Sequence, residues 1–561
     1  MLKYKVTKEL PQFNTTSPVF FDIETEKLYL GTRLVQVYQP DTSNIVYILD
    51  TDLISLDTIK EWLKDKWLIG HGLTYDFGTL NMTSAKFDDT LYLSRIAYPE
   101  WREYGLDKII DRIVPEDLYE GLDKKKLQKA GFIKGAYLSQ AQLRYSATDV
   151  YALQYIWELK KIQIARDNMA YKVDILNMKY AVEYQQNGLI PNREDVRKEL
   201  DKLEDKIEEN YQILNGVNCN SYKQVREALN SNESSKEYLI KVISQQGPKA
   251  TLAKAVYDQR RLLKRRTMLE SYNKPIVYTK FNVAGAITGR FTSTGGDLDN
   301  GINAQQIPRD LQYIFNQNTE DTVVVHADYS TAELRAGCSI MRDETMYQQL
   351  KDGIDLHKVS ASLATGKPLE DITKEDRQKG KAVSFGFIFG MSAASFVEYA
   401  YVNYGVIFTE EEAKIIKSKY NSMYTGISAY HKLKWNTYKE TPAVTPLGHI
   451  CMSRLGTDAI NHATQGGIAE TMKLAVHYLC KDYPEATKYI FNIVHDAAYM
   501  RVPVGTQKVW ADRLVKAMFK GWKEICKVEM LYYKDIPMGV EYEYIDPDGT
   551  YVCEEIFDGN S

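Results

Sequence analysis

The chain has 561 residues, 44% of them hydrophobic and 26% charged, a balance that excludes global disorder, and at roughly 150 residues per domain the length predicts several domains. Lys and Arg number 71 against 75 Asp and Glu, a net charge of −4, so any nucleic-acid surface must be local rather than a property of the whole chain. No run approaches the ~18 uninterrupted apolar residues of a membrane span, no signal-peptide core follows Met1, and the six cysteines form no C-x-x-C pair, which argues against zinc or a disulfide framework and for a reducing, cytoplasmic compartment.

Short apolar runs at 19–21, 34–38 and 45–49, separated by turns, predict a small sheet. Helical patterning takes over at 143–159, so a first α/β unit is expected over residues 1–165. Asp22 and Glu24 stand two apart in a strand and share a face. Asp76 follows Gly70-His71-Gly72-Leu73-Thr74-Tyr75, and Tyr145 and Asp149, four apart on a helix, share a face as well. Four carboxylates converging on one cleft repel unless a cation neutralises them, and hard oxygen donors suit Mg²⁺ or Mn²⁺. Two such ions can activate water and stabilise a leaving alkoxide in phosphodiester cleavage, with the Tyr145 hydroxyl placed to orient that water. Each acid alone reads as an ordinary surface residue; the ordered set D-x-E, G-x-x-x-x-Y-D, Y-x-x-x-D is far more specific. It resembles the DEDD-type 3′→5′ exonucleases, in the form with Tyr in the third motif. The resemblance implies an RNase H-like exonuclease domain in which Asp22, Glu24, Asp76 and Asp149 bind two metal ions. Gly72 departs from it, standing before the second-motif segment where Asn is usual.

Residues 166–275 are charged and mostly helical, with a helix start at Ile190-Pro191-Asn192-Arg193-Glu194 and amphipathic spacing over 200–214, a pattern that suits a projecting arm. Its end is basic: Lys249, Lys254, Arg260, Arg261, Lys264, Arg265, Arg266, Lys274 and Lys280. Such a run reads as a solvated helix face or, beside a cleft, as a contact for a DNA backbone, with Arg260, Arg261 and Lys264 the residues singled out. A strand pattern over 322–328 delivers Asp328, helices dominate 341–440, and a hairpin at 493–502 can present Asp496. If the fold joins these two acids, they can hold two ions about 3.5–4 Å apart. Between them Arg377, Lys381, Phe385 and Phe389 recur every four residues, one helical stripe that is cationic at one end and aromatic at the other. An aromatic stripe is usually core, but the cations ahead of it suit a nucleoside triphosphate laid along the helix.

Asp328-Tyr329-Ser330-Thr331-Ala332-Glu333-Leu334-Arg335, then R-x-x-x-K-x-x-x-F-G from Arg377, then Val494-His495-Asp496 resemble motifs A, B and C of the family A DNA polymerases. Thr288-Gly289-Arg290, Asn303-Ala304-Gln305-Gln306-Ile307-Pro308, Asp355-Leu356-His357 and Asn461 with Gln465 extend the match. The resemblance implies an α/β multidomain chain: the exonuclease domain, then a right hand with thumb 166–285, palm 286–340, fingers 341–440 and palm again 441–561. Asp328 and Asp496, helped by the Tyr329 carbonyl, would bind two Mg²⁺ ions, and a primer 3′-hydroxyl would attack the α-phosphorus of a dNTP in line. Arg377 and Lys381 would grip the triphosphate, Lys381 protonating the leaving pyrophosphate, with His357 a further phosphate contact. Phe385 would pack near the sugar, where Phe discriminates against dideoxynucleotides in the family. Glu333 would exclude a ribose 2′-hydroxyl, Phe389 would complete the nucleotide pocket, Arg290, Asn461 and Gln465 would meet the minor groove, and His495 would lie by the primer terminus.

Three departures stand out: Phe389 where Tyr is usual, Ala497 for Glu, and Thr457 for an Arg. The implied partners are primer–template DNA and dNTPs; a helicase, single-strand binding protein or processivity factor is left open, and no membrane is expected. The absence of room before Asp22 for a 5′-nuclease domain points to a bacteriophage-type replicative enzyme working in host cytoplasm. The alternatives are an exonuclease with an inactive polymerase domain, an RNA polymerase, and a non-catalytic DNA-binding protein.

Overall fold

The computed structural model describes residues 2–114 and 118–558. Its N-terminal sheet contains β1 (Lys3–Thr7), β2 (Val19–Lys27), β3 (Leu30–Tyr38), β4 (Ile45–Asp50), β5 (Trp67–Gly70) and β6 (Lys86–Asp89), in the order β1-β4-β3-β2-β5-β6. β2, β3 and β4 form an antiparallel meander, β5 and β6 run parallel to β2, and β1 runs parallel to β4. Period 2 sorts the side chains of β2. Phe21 stacks on Phe77 of the helix Leu73–Leu80. Phe20 stacks on Tyr38, which in turn meets Tyr151 of the helix Gln140–Trp157. Asp22 and Glu24 share the Phe20 face. A capping box at Ser139 and Gln142 starts that covering helix.

The arm is a helix pair, Arg193–Leu214 and Ala250–Tyr272. Contacts of Asn210 with Ala255 and of Glu204 with Arg266 show that the two run antiparallel. Asn192 caps the first helix, accepting from the amides of Glu194 and Asp195. The tip has a core of its own, with Leu214, Val225, Leu239 and Val256 buried together. The base packs Val196, Leu203, Leu269 and Tyr272 against Phe315, Val324 and Tyr499.

Beyond the arm come a hairpin of β7 (Lys280–Asn282) and β8 (Thr292–Thr294), then β9 (Thr322–Ser330), a run of helices, and the small pair β10 (Ala443–Val444) and β11 (Ile450–Cys451). The chain closes with β12 (Ile490–Val494), β13 (Ala497–Pro503), β14 (Gly539–Ile545) and β15 (Tyr551–Phe557). An antiparallel sheet of order β12-β13-β9-β14-β15 results. The predicted strand at 322–328 is β9, and the predicted hairpin is β12–β13.

The N-terminal unit is tied to the rest by polar contacts. Tyr92 Oη donates to Asn282 Oδ1 at 2.7 Å, Arg95 Nη1 to the Ala284 carbonyl at 2.6 Å, and Lys280 Nζ to the Gly78 carbonyl at 3.0 Å. Lys280 therefore does not belong to the exposed basic face of the arm: it is buried, and burial pulls its pKa down to about 8. No helix among the described residues is long and apolar enough to cross a membrane.

Candidate active sites

In the N-terminal unit, carboxylate oxygens of Asp22, Glu24 and Asp149 lie within 4.8 Å of one another. Asp76, on the helix Leu73–Leu80, is buried close enough to repel both Asp22 and Glu24. Burial is the largest cause raising the pKa of Asp22, Glu24 and Asp76, and repulsion among neighbouring acids raises them further. Asp149 is raised by burial too, against hydrogen bonds from Tyr119 and Tyr145. All the donors are hard oxygens and the protein supplies little positive charge, so the set fits a divalent cation.

Tyr119, which sequence reasoning missed, donates to Asp149 Oδ1 at 2.7 Å; it stands outside the motif spacings, and nothing local in the sequence marks it. Gly72 has a local explanation. Its φ is +82°, in the left-handed region open to glycine. The amides of Gly72 and Leu73 donate to the Asp89 carboxylate at 3.0 and 2.7 Å, fixing the start of the helix that carries Asp76.

The second site lies on the C-terminal sheet. Asp328 on β9 is directly opposite Ala497 on β13, the residue after Asp496. His495, at the hairpin turn, has φ +55°, and the Tyr329 amide donates to the Asp496 carbonyl at 3.3 Å. The Tyr329 side chain turns into the core and donates to the Met518 carbonyl at 2.6 Å. Burial raises Asp496 well above the carboxylate range, with Asp328 and Glu333 repelling it and Arg290 opposing the rise. Asp328 is raised as well, by burial, while His326 and Arg309 hold it down; its Oδ1 is shielded from solvent and has no hydrogen-bond partner. An orphaned buried carboxylate oxygen beside a second acid fits a cation. Glu333, in the first turn of the helix Ala332–Met341, is ion-paired with Arg290.

The cationic–aromatic stripe lies on the helix Lys374–Ile388, started by a capping box at Thr373 and Asp376. Arg377 Nε donates to Asp355 Oδ2 at 2.6 Å. Lys381 is half-buried, and its pKa is lowered by burial and by the charges of Arg377 and Arg309. Asp355 also caps the neighbouring helix Leu356–Thr365. His357 is buried, with Nδ1 3.0 Å from Ser384 Oγ and its ring 5.3 Å from Phe385; burial lowers its pKa to about 4. Gly380 is what lets the two helices touch, since a Cβ there would sit 1.9 Å from the His357 carbonyl oxygen. Phe385 is half-buried, whereas Phe389 caps the helix end and is 8% exposed.

A family model described as DNA polymerase family A matches residues 187–544. The chain belongs to DNA polymerase family A. It is 26% identical over 581 residues to DNA polymerase I of Aquifex aeolicus (strain VF5), covering 95% of this chain and 96% of that protein. It is 29% identical over 250 residues to DNA polymerase I of Mycobacterium leprae (strain TN), covering 41% of this chain and 27% of that protein. Among solved structures, the POL domain of Pol1 from M. smegmatis in complex with DNA primer-template and dNTP superposes with a TM-score of 0.72 at 19% identity, over 94% of this chain and 95% of that one. The two share a fold.

In this family A chain the candidate DNA contacts divide. Asn461 and Gln465 are four apart on the helix Gly456–Asp482, and Asn461 Oδ1 is buried without a partner. Arg261 and Lys264 are exposed on the arm and line a cavity of about 970 Å³ along it. Arg260 is a correction: Nε donates to the Cys219 carbonyl at 2.7 Å and Nη1 to the Ser234 carbonyl at 2.9 Å, so the guanidinium ties the tip of the arm together instead of facing outward. Arg265 and Arg266 are paired with Asp310 and Glu204. Arg309, which the sequence reading stopped one residue short of, is exposed and acts on Asp328, Lys381 and His495.

Proposed function

We propose that this family A chain is a DNA-templated DNA polymerase that extends a primer 3′-hydroxyl with dNTPs and edits its own product with a 3′→5′ exonuclease. The juxtaposition of Asp328 and Asp496 across β9 and β13 carries the polymerase reading. The convergence of Asp22, Glu24 and Asp149 carries the editing reading. The domain assignment follows: an RNase H-like exonuclease over 1–165, thumb over 166–285, palm over 286–340 and 441–561, and fingers over 341–440.

At the polymerase site Asp328, Asp496 and the Tyr329 carbonyl would hold two Mg²⁺ ions, and at the editing site Asp22, Glu24, Asp76 and Asp149 would hold two more. Cations bound there would lower the pKa of the attacking hydroxyl or water and offset charge at phosphorus. The chain's own groups do the rest. Asp355 orients Arg377 toward the triphosphate. Lys381, with its lowered pKa, is a better proton donor to the departing pyrophosphate than an exposed lysine. His357 is neutral, so it can offer phosphate a ring N–H but no charge. Glu333 stands where a ribose 2′-hydroxyl would come, and Phe385 against the sugar. Phe389 backs the nucleotide pocket from the helix end. Arg290, Asn461 and Gln465 serve the minor groove, with His495 beside the primer terminus. In the editing site Tyr145 and Tyr119 hold Asp149 and orient the attacking water.

Incubation of matched and 3′-mismatched primers with template, Mg²⁺ and dNTPs tests both halves. The expected result is direct extension of the matched primer and trimming before extension of the mismatched one. A D22A/E24A variant should extend but not trim. Degradation without any synthesis would overturn the polymerase half, and synthesis with no trimming by the unaltered chain would overturn the editing half.

A further inference from the structure

β14 adds something to the polymerase site that the sequence motifs do not contain. Glu541 is directly opposite Asp328 on the side of β9 away from Ala497. Directly opposed residues of an antiparallel pair share a face, with Cβ atoms about 4.5–5.5 Å apart. The next pair along the same face shows that such side chains do meet here: Glu543 is opposite His326, and its Oε1 lies 3.2 Å from His326 Nδ1. Glu543 is further engaged by the Tyr551 hydroxyl. The Glu541 carboxylate, by contrast, has no hydrogen-bond or ion-pair partner among the described residues, and the residue is exposed. Glu555 on β15 is opposite it in turn, so Asp328, Glu541 and Glu555 form a carboxylate row across three strands. Like charges directly opposed are destabilising. Asp328 Oδ1, shielded from solvent and unpartnered, is aimed into this face.

The surroundings also give the row a direction. The charges acting on Asp496 include Asp328, Glu333 and Arg290. Glu541 acts on Asp328 and on Lys381, the candidate triphosphate lysine. Asp328 thus stands between β13, which follows Asp496, and β14, where, with alanine at 497, Glu541 supplies the further carboxylate on the side of Lys381.

We propose that Glu541 is the third carboxylate of the polymerase site and ligates, directly or through water, the divalent cation on the Lys381 side, the one that meets the triphosphate. The inference rests on the polymerase reading of Asp328 and Asp496.

Direct Mn²⁺ binding tests it without turnover. The full chain, in a D22A/E24A background that removes the other cation site, is titrated with Mn²⁺ by electron paramagnetic resonance. The titration is made first with a 3′-dideoxy-terminated primer–template and then with the matching dNTP added. Glu541→Gln should weaken the Mn²⁺ that binds only with the dNTP by about 10-fold, leave the Mn²⁺ bound with DNA alone unchanged, and raise the Mg²⁺ midpoint of extension in parallel. Glu541 is exposed, so the variant should fold; its melting curve checks this, and Glu541→Asp should bind between the two. Identical isotherms for Glu541→Gln and the parent, or an equal loss in both complexes, would overturn the assignment. Asp328→Asn separates the two levels: retention of both Mn²⁺ ions by that variant would overturn the polymerase reading itself, whatever Glu541 does.

Discussion

Asp76 and Asp149 are buried, with Asp22 and Glu24 half-buried beside them, and each of the four holds its proton above the usual carboxylate range chiefly because burial disfavours the charged form. In the unfolded chain these groups ionise near pH 4; in the folded, metal-free protein they ionise at higher pH. Between the two values the folded state carries more protons, so this cluster's contribution to stability falls as pH rises through that window and does not return above it. A D22N/E24Q variant should therefore melt higher than the parent at neutral pH in chelator, and added Mn²⁺ should raise the parent more than the variant. A variant that melts lower in chelator would contradict the argument. The same cluster gives Tyr119 a test. Its hydroxyl fixes Asp149 at 2.7 Å, and loss of such an outer hydrogen bond weakens a metal site by about 10–100-fold. Tyr119→Phe should slow 3′ trimming by a similar factor while primer extension holds its rate; equal trimming rates would show that Asp149 needs no such support.

At the scale of elements, the helix pair Leu356–Thr365 and Lys374–Ile388 positions Arg377 and Lys381, the proposed triphosphate residues, by close approach at Gly380. Gly380→Ala forces those helices apart. Overpacking of this kind costs about 1–3 kcal/mol, and it shifts Arg377 and Lys381, so a lower melting temperature should accompany a higher KM for dNTPs; an unchanged KM would separate the packing from the site. The arm yields a second element-scale prediction. Replacing Arg261 and Lys264 together by Ala should reduce the slope of log binding constant against log salt by about 2, at roughly 0.9 per phosphate contact. Arg260→Ala should leave the slope alone and lower the melting temperature, because its donors are taken by carbonyls of the tip. Here the limits of the sequence are plain. Spacing showed that nine cations cluster at the end of the arm; which of them face outward depends on partners far along the chain, such as the Gly78 carbonyl for Lys280 and Asp310 for Arg265.

At the scale of the whole molecule, the motifs were legible because each sits on a regular element whose period fixes its face: Asp22 and Glu24 on β2, Tyr145 and Asp149 on one helix, Asp328 on β9. Phe389 was harder to read, since the four-residue rhythm runs to it while the helix ends at Ile388. Tyr119, Arg309 and Glu541 were not legible, because each reaches its site through pairing or packing that no local pattern encodes. The fold also joins distant parts of the chain. Lys236 at the tip of the arm pairs with Glu398 at 3.6 Å, and Tyr257 meets Tyr401 with ring centroids 5.9 Å apart, so the arm touches the helix Ala393–Tyr404.

On the proposed function, that architecture serves to bring Asp328 and Asp496 together near the helix that carries Arg377 and Lys381. The most direct measurement is primer extension by purified Asp496→Ala on a matched primer–template with Mg²⁺ and dNTPs, alongside trimming of a mismatched 3′ end by the same preparation. Extension should fall by about 10³-fold or more while trimming persists; template copying at the parent rate would contradict it.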